Sequence, residues 1–235
     1  MIERTTCAKL LQTINSYRKH SNTKFLVIFD IDDTILDTYS RRFFIYKNYL
    51  TKTFHLPEIS SNLQKENYNF IPLIKNDNNY KESDTEIKNF YLKLLFSEPL
   101  LYMDTPFLGV TRFFKSLSAS LTVPIIFLTG RPEITMKKAT YEILTRYQFL
   151  TSQNDKDRLV MKSNPKIPDT IFKKLQLKHI LNIFPQEKVI IFDNESENCK
   201  IFNEILPDDA MIVRFNSIEQ KSCSFNGFLI DNWIY

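Results

Sequence analysis

Two aspartates stand directly after an uninterrupted apolar run near the start of the chain. The run is 25–29, and Asp30 and Asp32 follow it in Asp30-Ile-Asp-Asp-Thr34. Such a run, rich in β-branched and aromatic residues, predicts a strand buried on both faces. Carboxylates do not continue a buried strand, so we expect it to end at Asp30, where open α/β sheets place their ligands. Paired carboxylates near a hydroxyl suit a cation and a phosphorylated substrate, and the alternative is an Asp-rich turn.

Polar groups also follow two later apolar runs, 123–128 and 189–192. Thr129 and Gly130 follow the first of these runs, and Asp193 follows the second. Thr129 offers a hydroxyl donor, and Gly130, one of only three glycines, suits a backbone N–H that approaches a phosphate closely. Each position alone could be an ordinary turn or, for Asp193, a helix N-cap. Because these strand ends can converge in a parallel sheet, we expect one shared site.

The elements that must position these groups alternate between strand and helix. Apolar runs predict five strands, and helical spacing predicts a helix before the first strand and further helices between the others. The strands are 25–29, 123–128, 159–161, 189–192 and 211–215. Alternation of this kind predicts an α/β fold, with a Rossmann-like parallel sheet covered by helices on both faces.

A different pattern interrupts this alternation after the first strand. From about residue 39 to 103 the chain is aromatic and rich in Asn and Lys, with helical periods and no clear strand. Ser83 and Glu86 have capping-box spacing, and a turn is predicted at 76–79. We interpret residues 37–104 as a helical cap subdomain inserted into a core domain of residues 1–36 and 105–235.

Composition excludes several classes of protein. The chain has 235 residues, 43% of them hydrophobic and 25% charged, and its net charge of +4 is spread along the sequence. No nucleic acid partner is therefore expected. The three cysteines show no metal-ligand spacing, and neither a signal peptide nor a run of transmembrane length is present. We expect a cytoplasmic protein, with export by a route without a cleavable signal left open; the sequence carries no signal for an oligomeric state.

The polar segments together resemble the motifs of the haloacid dehalogenase (HAD) superfamily of phosphohydrolases. Residues 30–34 after their strand are similar to its first motif, and 127–131 to its second, in the form common in the acid-phosphatase-like branch. Residues 171–174 resemble the third motif, which supplies a lysine from the start of a helix, and 189–193 resemble the fourth. The insertion stands where that superfamily carries its first type of cap.

The resemblance implies a reaction and a cofactor. Asp30 would be the nucleophile that forms an aspartyl-phosphate, and Asp32 would protonate the leaving oxygen and then deprotonate water. Mg²⁺ would be held by Asp30, by Asp32 through its backbone carbonyl, and by Asp193. The phosphoryl oxygens would be bound by Thr129, the Gly130 N–H and Lys173.

Several assignments stay open within the resemblance. Lys162 and Lys174 compete with Lys173 for the third-motif role. Asp193 is followed by Asn194 rather than by an acid, so Glu197 or Asn198 could be the supporting group. Three arginines have two readings each: Arg41 and Arg42 could contact substrate or lie solvated on a helix, and Arg131 could orient substrate or serve packing.

The leading hypothesis is a Mg²⁺-dependent phosphatase that hydrolyses phosphomonoesters. Its partner would be a phosphorylated small molecule, with a phosphoprotein as the alternative. Asp32 favours phosphate transfer over dehalogenation, because a dehalogenase has no leaving alkoxide to protonate. Two rival hypotheses on the same fold are a catalytically silent binding protein and a phospho-acceptor domain.

Overall fold

A computed structural model describes residues 1–21, 23–57, 84–120, 125–151, 157–184 and 188–235. The predicted turn at 76–79, Ser83 of the predicted capping box, and residues 123 and 124 of the second predicted strand lie outside these residues. Every structural statement below concerns the described ranges.

The fold is built around a seven-stranded sheet, and each of its strand pairs is parallel. Its strands are β1 (Ile2–Arg4), β2 (Phe25–Phe29), β5 (Ile125–Pro132), β6 (Leu159–Lys162), β7 (Lys188–Asp193), β8 (Met211–Phe215) and β9 (Gly227–Ile230). The spatial order is β1-β9-β8-β7-β2-β5-β6, which places β2 between β7 and β5. The predicted α/β class and parallel sheet are confirmed. The sequence prediction missed β1 and β9, two short strands that pair with each other.

Strand β2 is buried on both faces, as its continuous apolar pattern predicts. Phe25, Val27 and Phe29 join the apolar cluster on one side of the sheet, and Leu26 and Ile28 join the cluster on the other. This division follows from the two-residue period of side chains along a strand.

Helices cover both faces of the sheet. Helices α1 (Cys7–Ser21), α6 (Val110–Ser120) and α7 (Glu133–Arg146) contribute to the first cluster, and α8 (Asp169–Ile183) and α9 (Ser196–Ile205) to the second. No helix within the described ranges has the length and apolar character needed to cross a membrane.

Between β2 and β5 the chain forms a set of helices with an apolar cluster of its own. The elements are β3 (Leu36–Asp37), α2 (Tyr39–Ile45), a π-helical segment (Tyr46–Leu50), α3 (Thr51–Phe54), α4 (Asp84–Leu95), α5 (Glu98–Leu101) and β4 (Thr105–Pro106). Strands β3 and β4 pair antiparallel, so the outgoing and returning segments lie side by side. The third cluster consists of residues from these helices, among them Ile45, Leu50 and Leu95.

Strand β5 is longer than the sequence predicts. The sequence prediction ended the strand at Leu128 and made Pro132 the first helical residue, but the strand continues to Pro132 and α7 begins at Glu133. The correction has a local cause: pairing with β6 resumes at Pro132 after a register shift that begins at Thr129. Pro132 has extended backbone angles and occupies the N-cap position of α7.

Candidate functional site

Asp30 lies at the carboxyl end of β2 and is almost entirely buried. Its backbone N–H donates to the Phe192 carbonyl at 2.9 Å, so the ladder with β7 continues to this residue. The Thr34 hydroxyl donates to Asp30 Oδ2 at 2.9 Å, and Lys173 Nζ donates to Oδ1 at 2.8 Å. Burial raises the pKa of Asp30, and the Lys173 ammonium opposes that rise.

Lys173 joins the ends of two strands. From the second turn of α8 its Nζ reaches Asp30 Oδ1 and Asp193 Oδ2, both at 2.8 Å. Burial alone would lower the pKa of the Lys173 ammonium, but Asp193 and Asp30 raise it well above the usual value. The competing lysines lie elsewhere: Lys162 pairs with Asp169 at 3.3 Å, and Lys174 pairs with a glutamate of α9. Of the three candidates, Lys173 is the one that contacts both Asp30 and Asp193.

Asp193 ends β7 and is oriented by the turn that follows it. Its Oδ1 accepts the Glu195 backbone N–H at 2.9 Å, and Asn198 Nδ2 donates to both carboxylate oxygens at 3.1 Å. Glu197, the alternative supporting group, pairs with Lys221 at the surface. The group that supports Asp193 is therefore a neutral amide, that of Asn198, rather than a second acid.

Asp32 is held by two arginines. Arg131 donates to both of its oxygens at 2.8 Å, from Nη2 to Oδ1 and from Nε to Oδ2. Arg41 Nη2 donates to Oδ1, also at 2.8 Å. Burial acts to raise the pKa of Asp32, but Arg131 and then Arg41 more than offset it and hold that pKa well below its usual range. The side chain is 32% exposed, so it is fixed in orientation and still open to solvent on one side.

Asp104 completes this charge network, and the sequence reasoning missed it. Arg131 Nη2 donates to Asp104 Oδ2 at 2.7 Å, and Arg41 Nε lies 3.0 Å from Oδ1. The Asp104 side chain is fully buried, and burial raises its pKa to about 6 despite both arginines. The solvated-helix reading of Arg41 and Arg42 is wrong, because each is only 2% exposed. Buried arginines require acidic partners, and that requirement is the signal that could have pointed to Asp104.

The second-motif residues Thr129 and Gly130 adjoin this network. Thr129 is fully buried, and its hydroxyl accepts the Arg131 backbone N–H at 3.2 Å. A Cβ on Gly130 would lie 2.0 Å from Asp169 Oδ1, so the missing side chain makes room for a carboxylate. Asp169 is also 3.6 Å from Lys173 Nζ. The sequence prediction explained this glycine by the close approach of a phosphate. The structure adds a second reason that the sequence did not indicate, the close approach of the Asp169 carboxylate.

The carboxylates at the ends of β2 and β7 fit a hard cation. Asp30 and Asp193 each direct one carboxylate oxygen toward the same cation, the Lys173 ammonium, from which both accept a hydrogen bond. Mg²⁺ prefers one or two carboxylates, with waters completing its shell. No cluster of three His, Cys, Asp or Glu side chains suited to a metal occurs in the described part of the chain. Both oxygens of Asp32 accept from arginine, so Asp32 could contribute only its backbone carbonyl, as the sequence resemblance implies.

Neither a protein-family model nor a curated protein sequence matches this chain. Solved structures do match. A haloacid dehalogenase-like hydrolase from Streptococcus pneumoniae has a TM-score of 0.59 at 13% identity, over 90% of this chain and 95% of its own. The Protein Tyrosine Kinase A of Mycobacterium tuberculosis has a TM-score of 0.61 at 17% identity, over 90% and 95%. A HAD family hydrolase from Deinococcus radiodurans with bound phosphate and sodium has a TM-score of 0.56 at 10% identity, over 88% and 91%.

At these identities the likeness concerns the fold. The parallel sheet, its flanking helices and the strand-end position of the polar residues agree with what the sequence motifs predict for the superfamily. The assignment to the acid-phosphatase-like branch stays a prediction. The fold of this chain is therefore similar to that of the solved haloacid dehalogenase-like structures.

Proposed function

We propose that this protein is a Mg²⁺-dependent phosphatase that hydrolyses phosphomonoesters through an aspartyl-phosphate intermediate. The observation that carries the proposal is the bridge from Lys173 to Asp30 and Asp193, which joins a buried nucleophile, an ammonium and a second carboxylate at one edge of the sheet. Structural neighbours described as hydrolases, one of them with bound phosphate, support the same chemistry.

Asp30 is the proposed nucleophile. The Thr34 hydroxyl donates to Oδ2 and Lys173 to Oδ1, so both oxygens have fixed directions before the attack. Mg²⁺ held by Asp30 and Asp193 would reduce the repulsion between the nucleophile and an anionic substrate. Lys173, together with Thr129 and the Gly130 N–H, is the proposed group of donors to the phosphoryl oxygens.

Asp32 is the proposed proton carrier. It would protonate the leaving oxygen and, once ionised, would accept a proton from the water that hydrolyses the aspartyl-phosphate. Arg131 and Arg41 stabilise the ionised form, which is the form needed for the second step. The partial exposure of the Asp32 side chain leaves room for a leaving group or a water beside it.

Residues 37–104 are the proposed cap. The paired strands β3 and β4 hold both connections together, and the separate apolar cluster lets the intervening helices pack as a unit. A helical cap beside the site favours a phosphorylated small molecule over a phosphoprotein. We also propose a cytoplasmic location, because all three cysteines are free thiols.

Turnover of p-nitrophenyl phosphate tests the proposal. The wild type should be active with Mg²⁺ and inactive with EDTA, and Asp30→Asn should lose roughly 10³-fold or more in kcat. Asp209→Asn is the matched control, since Asp209 is a surface carboxylate paired with Lys188. Absence of turnover across a panel of phosphometabolites and phosphopeptides, or full activity in Asp30→Asn, would rule the proposal out. Higher kcat/KM on the peptides would assign a phosphoprotein substrate.

A further inference from the structure

Arg41 contacts three segments that are separated along the chain. Its Nη2 donates to Asp32 Oδ1 at 2.8 Å, its Nη1 donates to the Leu95 carbonyl at 2.8 Å, and its Nε lies 3.0 Å from Asp104 Oδ1. Arg41 itself belongs to α2 and is only 2% exposed. One guanidinium therefore donates two hydrogen bonds, to Asp32 and Leu95, and makes an ion-pair contact with Asp104.

The three residues that Arg41 contacts link the inserted helices to the end of strand β2. Asp32 belongs to the loop after β2, Leu95 is the last residue of α4, and Asp104 directly precedes β4. A guanidinium is planar and rigid, so the directions of its contacts cannot be adjusted independently. The position from which Arg41 donates to Asp32 is therefore tied to the packing of α2, α4 and the segment before β4.

Arg131 makes the contrasting contact. It projects from β5 and is anchored within the core, where Nη1 donates to Thr140 of α7 at 3.1 Å. Its two bonds to Asp32 thus link one part of the sheet domain to another. Among the described residues of the inserted helices, Arg41 is the one that donates to Asp32.

We propose that Arg41 is a positioning residue that couples the packing of α2, α4 and the segment before β4 to the orientation of the Asp32 carboxylate. The inference deepens the proposed function and rests on it, because it concerns proton transfer by Asp32. Oδ1 accepts from both arginines, whereas Oδ2 accepts from Arg131 Nε alone. A carboxylate oxygen with fewer donors keeps more acceptor capacity, so Oδ2 is the oxygen that exchanges the proton.

This coupling has a chemical signature. A p-nitrophenolate departs without help, whereas a phenolate, whose conjugate acid has a pKa of about 10, gains from a positioned acid. If Arg41 aims Asp32, its loss should penalise phenyl phosphate more than p-nitrophenyl phosphate. A residue that merely stabilises the fold would lower turnover of both esters by the same factor.

The experiment compares Arg41→Lys with Arg42→Lys. Lysine keeps the charge but has a single ammonium in place of the planar fork, so it cannot hold the Asp32 carboxylate in the orientation that Arg41 imposes. Arg42 is the matched control: it is the next residue of α2, is equally buried, and contacts Asp33 at 3.6 Å and the Thr38 hydroxyl at 3.0 Å. We measure kcat/KM, which reports the steps through transfer to Asp30, for phenyl and p-nitrophenyl phosphate with Mg²⁺.

In Arg41→Lys, kcat/KM for phenyl phosphate should fall about 10-fold further than for p-nitrophenyl phosphate, within the range of acid catalysis. Arg42→Lys should leave the ratio of the two unchanged. Asp104→Asn is the second variant, in case Arg41→Lys fails to fold. It removes the charge that faces both Arg41 Nε and Arg131 Nη2, the two arginines that hold Asp32, and should shift the ratio in the same direction.

An unchanged ratio in Arg41→Lys, or in Asp104→Asn where that variant alone folds, overturns the inference. An equal shift in Arg42→Lys also overturns it. Failure of the proposed function has a different appearance, because the wild type would then show no Mg²⁺-dependent turnover of either ester.

Discussion

Gly130 and Asp169 occupy one small space between them. The carboxylate of Asp169 lies where a Cβ on residue 130 would be, and it is paired with Lys162 at 3.3 Å. The backbone of Gly130 does not need a positive φ, so the glycine is required here by close approach alone. A single missing carbon thus determines where a charged side chain beside the proposed phosphate site can lie.

Gly130→Ala should therefore destabilise the protein by about 1 kcal/mol, the low end of overpacking costs, because the Cβ meets only the partly exposed Asp169 side chain. The new Cβ would displace Asp169 and with it the nearby contact to Lys173, so turnover should fall as well. Urea unfolding measures the free-energy change.

The double variant Gly130→Ala with Asp169→Ala tests the cause. Since the carboxylate that the Cβ meets is gone, the two substitutions should be non-additive by more than about 0.5 kcal/mol. Strict additivity would mean that the two residues do not compete for the same space.

Helix α8 presents two consecutive lysines to different surroundings. Lys173 is buried between Asp30 and Asp193, while Lys174 pairs with Glu204 on the neighbouring helix α9. Neighbouring residues of a helix point about a quarter-turn apart, so the rotation of α8 about its axis decides which lysine enters the site. Apolar contacts of Phe172, Leu177 and Ile180 with the sheet set that rotation.

Lys173→Met should lower kcat by about 10²–10³-fold, as expected when one charge-stabilising donor is lost. It should also destabilise the fold by roughly 3–5 kcal/mol, because two buried carboxylates lose their cation. Mg²⁺ should restore part of that stability in a thermal-unfolding experiment.

Lys174→Met is the control, with an expected stability change below about 1 kcal/mol, since its ion pair is exposed. Equal effects of the two substitutions on kcat would contradict the assignment of Lys173 to the site.

Trp233 joins the C-terminal segment to β2 and to the loop that follows β2. Trp233 is fully buried and packs on Phe29, Phe113, Phe192 and Phe215, with ring centroids 5.2–6.2 Å away. Its Nε1 donates to the Thr34 carbonyl at 3.1 Å. Trp233 therefore supports the loop after β2, which carries Asp30 and Asp32.

Trp233→Ala should cost about 3–5 kcal/mol of stability, the range for truncating a buried aromatic side chain. It should also lower turnover, since the loop after β2 loses a hydrogen bond at Thr34. Trp233→Phe should cost less, because it keeps most of the packing and loses only the indole donor. Urea unfolding followed by circular dichroism compares the variants; a cost below about 1 kcal/mol for Trp233→Ala would contradict this account.

The sequence by itself determined the class of fold and the edge of the sheet where the polar groups lie. Buried parallel strands are continuous apolar runs, so β2 and β7 could be read directly, and a carboxylate that ends such a run must lie at the strand's carboxyl end. Asp30 and Asp193 needed no further information to be placed there. The short strands β1 and β9 were missed, because β1 is three exposed residues and β9 is four residues of which only the last two are buried, and patterns this short are weak.

Only the tertiary structure decided which side chains meet. Asp32 is held by Arg41 and Arg131, Asp193 is supported by Asn198, and Trp233 lies beneath Thr34. All four contacts join different segments of the chain, and their geometry depends on how each segment is rotated and packed. Local patterns of apolar residues determine secondary structure and burial, whereas the direction of a polar side chain is set by partners that are distant along the chain. For that reason the sequence was enough to predict one edge of the sheet for the aspartates proposed to be catalytic, and only the packed molecule determined their partners.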